Sequence, residues 1–232
     1  MSYDYSENIL VQESAGHLLA DELGWQVELA YNQEVLGANG TFGRNSYKDI
    51  LLARYFHKAI RTLNPWITDD QVIEAQSTFE KHLSSASLMQ INEEKYAYIR
   101  DGIPVTEKKP NGQTEEKRAI IIDFQHPNDM ERNHFLAVKE MKIHGDLYRR
   151  RTDIVGFVNG IPLLFVELKK NSVDVQNAYT DNYTDYLDTI PQLFYYNAFL
   201  MLSNGTEAKV GTLGSKYEFF QMEGFLSWMN NA

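Results

Sequence analysis

Three ionisable residues placed at the ends of β-rich runs are the part of this sequence best suited to chemistry. In RRRTDIVGFVNGIPLLFVELKK, residues 149–170, Asp153 opens one such run, and Glu167 and Lys169 close the next. The stretch from Ile161 to Val166 is wholly apolar, so Glu167 and Lys169 carry charge where the chain is otherwise suited to burial. Charge at the end of a buried strand needs something to reward it. Two carboxylates brought together form an oxygen cluster of the kind that holds Mg²⁺ while leaving water and phosphate positions open. A neighbouring lysine orients or deprotonates the attacking water and steadies the developing phosphorane charge, with the metal as Lewis acid. This is equipment for hydrolysing a phosphodiester without a covalent intermediate.

Whether the three groups meet depends on register. Asn159-Gly160 suits the positive φ angles of a tight turn and predicts a hairpin. Directly opposed residues of an antiparallel pair share a face. A two-residue loop at Asn159-Gly160 pairs Val158 with Ile161, sets Asp153 against Val166 and turns Glu167 away. A three-residue loop over Asn159 to Ile161, or an equivalent bulge, pairs Val158 with Pro162 and brings Asp153 opposite Glu167, roughly 5 Å apart at Cα. Lys169 then shares their face. From spacing alone, a surface salt-bridge cluster at a strand end is the competing reading, because D-x13-E-x-K arises often by chance.

The elements that must position these residues read as follows. Gln12 to Leu23 has helical periodicity in Ala15, Leu18, Leu19 and Leu23, and Gly24 is placed to end it. Residues 26–31 suggest a short strand. YKDILLARYFHKAIRTL is helix-periodic up to Asn64-Pro65, and a further helix follows an N-cap near Thr68. KKPNGQTEEKR, residues 108–118, reads as an exposed loop between neighbouring strands. Strands are predicted at 119–124, 134–143, 153–158 and 162–168, then a helix over 174–187 and a strand at 197–203. That order implies an α/β (α+β) chain with a mixed central β-sheet flanked by helices and an N-terminal helical extension.

Composition narrows the function classes. A chain of 232 residues buries one sizeable core, and 43% hydrophobic with 12% aromatic residues is ordinary for a globular protein. No run approaches the ~18 apolar residues of a membrane span. With no cysteine there is neither a disulfide nor a thiolate metal site, so oxygen or histidine must hold any metal. The six histidines show no paired ligand spacing. The opening MSYDYSENILVQ lacks a secretory layout, which leaves a cytoplasmic address as the expectation. No G-x-S-x-G, G-x-G-x-x-G or GxxxxGK[ST] motif occurs, and GTLGSKY at 211–217 has the wrong spacing for a phosphate loop. A net charge of −10 is unfavourable for gripping a polyanion alone, so another domain should supply most DNA affinity. Charge is uneven, however: residues 138–151 carry five basic and two acidic side chains just before the motif.

The segment RTDIVGFVNGIPLLFVELKK resembles the acidic strand, Asn-Gly turn and E-x-K strand of PD-(D/E)xK nucleases, and more closely those of the N-terminal nuclease domain of the type I restriction enzyme R subunit. IPQLFYYNAFLMLSNGTEAKVG, residues 190–211, is similar to that family's next strand and loop, and IRTLNPWITDDQVIEA to its helical approach. The resemblance covers most of the chain. It implies one restriction-endonuclease-like domain over 1–232, with 46–100 a helical insertion and 119–211 the catalytic core, in a fragment of a longer subunit. It implies that Asp153, Glu167 and the carbonyl of Leu168 ligate Mg²⁺ and that Lys169 assists the water. The family's Q-x-x-x-Y motif aligns best with Asn182 and Tyr186, where asparagine replaces glutamine and Tyr186 can equally pack the helix on the sheet. Glu13 aligns with a first-helix glutamate near the metal, or is an exposed helix residue. Arg149, Arg150, Arg151 and Lys170 are candidates for contact with double-stranded DNA. The resemblance further implies ATP use by translocase domains beyond Ala232 and partnership with methylase and specificity subunits. Two functions compete: a nuclease that cuts double-stranded DNA within the larger complex, and a catalytically silent docking, regulatory or weakly DNA-binding module. A phosphodiesterase acting on RNA or a small nucleotide is a weaker third.

Overall fold

The computed structural model describes residues 5–109 and 111–223. Its centre is a mixed sheet of seven strands flanked by helices, an α+β architecture. The strands are β1 (Gln26–Leu29), β4 (Phe135–Lys139), β7 (Ile154–Val158), β8 (Ile161–Leu168), β9 (Phe199–Ser203), β10 (Ala208–Gly211) and β11 (Gln221–Glu223), adjacent in that order. The β1/β4 and β8/β9 pairs are parallel and the others antiparallel. Two small hairpins complete the strands: β2 (Ile103–Lys108) with β3 (Thr114–Ala119), and β5 (Lys142–His144) with β6 (Arg149–Arg151).

Alternation along the central strands divides the interior, because successive side chains point to opposite faces. Val155, Phe157 and Phe165 face one layer, where Tyr183, Tyr186 and Phe194 cover them. Ile154, Leu164, Val166 and Leu168 face the other, against Leu19. The helices α2 (Ala53–Leu63), α3 (Asp69–Glu80) and α4 (Leu88–Asp101) enclose a third cluster of Phe56, Ile60, Val72, Phe79 and Ile99, which reaches the β7/β8 tip through Ile161. Thr68 caps α3 and Ser87 caps α4, each in a reciprocal capping box. Among the described residues no helix is long and apolar enough to cross a membrane.

Several expected elements differ, some because side chains or neighbouring strands claim the backbone. The first helix, α1, runs Tyr5–His17 and continues as a π-turn, Leu18–Glu22, up to Gly24 at φ 70°. The predicted helix over 47–63 begins only at Ala53. Upstream, the Asp49 carboxylate accepts from the backbone N–H groups of Asn45 and Ser46, and Leu52 N–H donates to Gly160 O. Residues 108–118 are mostly ladder, with a turn confined between β2 and β3. The apolar run 120–124 leaves that ladder: Ile120 N–H donates to Asn64 Oδ1 and Asp123 N–H to Asn133 Oδ1. The strand expected over 134–143 breaks at Glu140, φ 53°. The helix expected over 174–187 is a π-turn, Ala178–Tyr183, leading into α5 (Thr184–Thr189).

Gly156 sits where no side chain fits. A Cβ there would lie 2.9 Å from both Leu164 Cβ and Trp25 Cζ3. Gly156→Ala is expected to cost about 1–3 kcal/mol through overpacking, read as a fall of about 3–10 °C in thermal melting. An unchanged midpoint would mean that Trp25 is not wedged against the strand.

Candidate active site

The tip of the β7/β8 hairpin is a two-residue turn: Val158 pairs with Ile161, and Asn159 and Gly160 take φ 53° and 79°. The three-residue loop is not formed. Continued unbroken, that register would set Asp153 against Val166. The ladder instead shifts between Gly156 and Phe157, where β8 contributes an extra residue, Leu163. Beyond the bulge Gly156 faces Leu164 and Ile154 faces Val166, so one further step sets Asp153 level with Glu167. Leu163 is held in the bulge by its carbonyl, which accepts from Ala198 N–H and the Asn197 amide. A bulge inside the ladder therefore does what a longer loop would have done.

The two carboxyl groups meet within hydrogen-bonding reach of each other. Asp153 Oδ2 accepts from Leu168 N–H at 2.7 Å. Burial pushes the Asp153 carboxyl up to about 6, opposed by that N–H and by the Lys169 charge. Glu167 is 3% exposed, and its Oε2 has no hydrogen-bond partner. Burial and then the nearby Asp153 charge drive its pKa well above the ordinary carboxylate range, while Lys169 and Asn182 pull the other way. A buried acceptor without a donor is uncommon and costly.

Around this pair the helix and strands supply polar anchors. Lys169 Nζ donates to Asn182 Oδ1, and the Asn182 side chain also hydrogen-bonds Glu167, so one amide touches both. The π-turn that carries Asn182 packs over the end of β8. Tyr186, four residues on, packs edge-on against Phe165 with ring centroids 5.9 Å apart, and its hydroxyl donates to Arg151 O at 3.1 Å. Tyr186 thus packs its helix onto the sheet, one of the two readings weighed for it.

Glu13 does not join the carboxylates: it forms an ion pair with Lys139 Nζ at 2.6 Å. Its neighbour Gln12 is the α1 residue that reaches the site, with its amide donating to Asp153 O at 3.3 Å. Nothing in the sequence distinguishes Gln12, a polar residue one position away on the same helix. Glu140, also missed, donates its N–H to Asp153 O at 2.9 Å and holds Arg151 at 3.3 Å. Its positive φ carries no sequence signal, since glutamate has no preference for that conformation.

The basic run is largely committed to the protein itself. Arg150 makes a two-pronged pair with Asp185, and Arg151 lies over the Tyr31 ring as well as against Glu140. Arg149 is exposed and forms no ion pair among the described residues. Lys170 follows Lys169 at the end of β8 and is half-buried.

This donor set fits an oxygen-bound divalent cation. The Glu167 and Asp153 carboxyls lie together, Glu167 Oε2 has no hydrogen-bond partner, and Leu168 N–H points at Asp153. In a strand the N–H and C=O of one residue leave on the same edge, so the Leu168 carbonyl is turned that way too. Among the described residues no three His, Asp or Glu side chains converge to enclose a metal. Two carboxylates are thus a partial oxygen shell, of a kind that a divalent cation completes with other oxygens.

Comparison with known proteins agrees with this geometry. The sequence profile described as Type I restriction enzyme R protein N terminus matches residues 4–219. The chain is 31% identical over 202 residues to the Type I restriction enzyme HindI endonuclease subunit of Haemophilus influenzae, covering 85% of this chain and 18% of that protein. It is 32% identical over 187 residues to the putative type I restriction enzyme MjaIXP endonuclease subunit of Methanocaldococcus jannaschii, covering 78% of this chain and 17% of that one. The chain spans less than a fifth of the length of these relatives. It belongs to the family of type I restriction enzyme R protein N termini.

Proposed function

We propose that this domain is the nuclease of a type I restriction enzyme R subunit, and that it hydrolyses phosphodiester bonds of double-stranded DNA with Mg²⁺. The observation that carries this reading is that buried Glu167, whose Oε2 has no hydrogen-bond partner, meets the Asp153 carboxyl beside Lys169. Two carboxyls held together in a poorly solvated place destabilise one another, and a divalent cation is the partner that removes the conflict.

Asp153, Glu167 and the Leu168 carbonyl would hold the metal. When bound, Mg²⁺ supplies Lewis-acid polarisation of a phosphate oxygen and of a water. The Leu168 N–H fixes one oxygen of Asp153, leaving its other free to bind. Asn182 holds Lys169 Nζ beside the carboxylates, where the ammonium orients a water and stabilises charge gathering on the phosphorus oxygens. Gln12 and Glu140 fix the Asp153 backbone from two sides, so the carboxylate is presented without a large ordering cost.

The acidity of the chain and the internal pairing of Arg150 and Arg151 support a domain that is handed DNA by the remainder of its complex. The relatives are named as subunits and are more than five times longer than the matched region. On this reading ATP-driven translocase domains of the same polypeptide, and methylase and specificity subunits, deliver the duplex in the cytoplasm.

Two outcomes are expected. In the reconstituted full-length enzyme with Mg²⁺ and ATP, Lys169→Ala should lower DNA cleavage by about 10²-fold or more while ATP hydrolysis continues; undiminished cutting would defeat the assignment, and a silent docking module predicts that result. The second concerns pH. Asp153 has a folded pKa of about 6 against an ordinary 3.8, so its contribution to the metal-free protein is present in acid and lost as pH rises through that interval. Asp153→Asn should therefore stabilise the metal-free protein at pH 8 by about 1–2 kcal/mol, change little at pH 4, and abolish the rise in melting temperature that millimolar Mg²⁺ gives the wild type. A variant less stable than wild type at pH 8 would contradict the electrostatic account.

A further inference from the structure

The β5/β6 ribbon has two chemically different faces. Directly opposed residues share a face, as do residues two apart along a strand. Lys142 opposes Arg151 and His144 opposes Arg149, so these four side chains stand on one side, with Ile143 and Arg150 on the other. Ile143 is buried and Arg150 is paired with Asp185 of α5, which makes theirs the inner side. On the outer side every residue is of a basic type: Lys142 and His144 are half-buried, and Arg149 and Arg151 are exposed.

In a chain of net charge −10 such a face runs against the average composition. Lys142 and Arg149 form no ion pair among the described residues; Lys142 instead donates to Asn32 Oδ1 at 3.1 Å and lies over the Tyr31 ring, which holds its ammonium in place. Beside them, Lys48 and Arg151 are offset by Asp146 and Glu140. Burial, and after it the charges of Arg149, Arg44, Lys142 and Lys48, hold the His144 imidazole below its usual range, as a locally positive potential does.

The ribbon is fixed from its inner side. The Gln192 amide donates to His144 O at 2.9 Å, and Gly145 packs so closely that a Cβ there would lie 2.0 Å from Thr189 O. Its tip is bare, with Leu147 88% and Tyr148 49% exposed. Arg149 lies four residues before Asp153, at most about 14 Å along extended chain, or about four steps of a DNA strand at 3.4 Å each. Polyanion backbone is the partner that a rigid basic face beside a phosphodiester-cleaving centre suits.

We infer that the outer face of the β5/β6 ribbon, through Lys142 and Arg149, binds the phosphate backbone of duplex DNA and guides it to Asp153 and Glu167. This rests on the nuclease reading above and assigns the contact to one face of the hairpin, leaving Arg150 out of it.

The test is binding of a fluorescein-labelled 30-base-pair duplex by the full chain, in EDTA and from about 20 mM salt upward, where screening is weak. Lys142→Ala with Arg149→Ala should weaken binding about tenfold or more at low salt and make the dependence of log Kd on log salt concentration shallower by about 1.8, at about 0.9 per lost phosphate contact. Arg149→Ala alone should give about half that change in slope, and Arg149→Lys should keep the wild-type slope. Lys117→Ala with Arg118→Ala, which removes the same charge from β3, should leave the slope unchanged. Equal losses from the two pairs, unchanged binding by the Lys142/Arg149 variant, or no binding by wild type at low salt would overturn the inference. Intact DNA binding with lost assembly onto the methylase and specificity subunits would overturn it in favour of a protein partner. No cleavage occurs in EDTA, so failure here leaves the catalytic assignment of Lys169 to its own assay.

Discussion

Asp153 and Glu167 are held together in a place where neither carboxylate is comfortable. Burial disfavours charge on both, and each disfavours charge on the other. Among the described residues the hydrogen-bond donor to the Asp153 carboxylate is a backbone N–H, and one oxygen of Glu167 has no partner. Such an arrangement persists only when the surrounding fold is stable enough to impose it, and local frustration of this sort is a common property of functional sites.

The fold imposes it by fixing backbone. The bulge at Leu163 sets the register, and two elements hold that bulge and strand in place: the 197–198 segment binds the Leu163 carbonyl, and Ser203 O receives Lys169 N–H. On the β7 side, Glu140 and Gln12 both donate to the Asp153 carbonyl. Asn182 spans Glu167 and Lys169 from the helix layer above. These contacts come from segments far apart in sequence.

The positive charges near the site illustrate the same division. Read along the chain, residues 149–151 form a basic patch. In the structure Arg150 joins α5 to the β5/β6 hairpin through Asp185, and Arg151 ties that hairpin to Tyr31. Both side chains are spent on internal structure, whereas Arg149 is exposed and forms no ion pair among the described residues.

Much of this was legible in residue order. The Asn-Gly turn, the apolar run of β8 and the alternation along β7 announced a hairpin carrying Asp153, Glu167 and Lys169, since turn chemistry and period-2 patterning are local properties. The mixed sheet flanked by helices and the capped start of α3 followed from the same kind of signal. What residue order left open was the choice between registers, because a bulge in mid-strand is stabilised by contacts with segments some 35 residues away. Likewise Gln12 and Glu140 acquire their places, and Glu13 pairs with Lys139 instead of joining the carboxylates, through how α1 and the β4/β5 bend lie against Asp153. Local sequence determined which groups were available; long-range pairing decided which of them touch, because hydrogen-bond partners distant along the chain are chosen only when the sheet has closed.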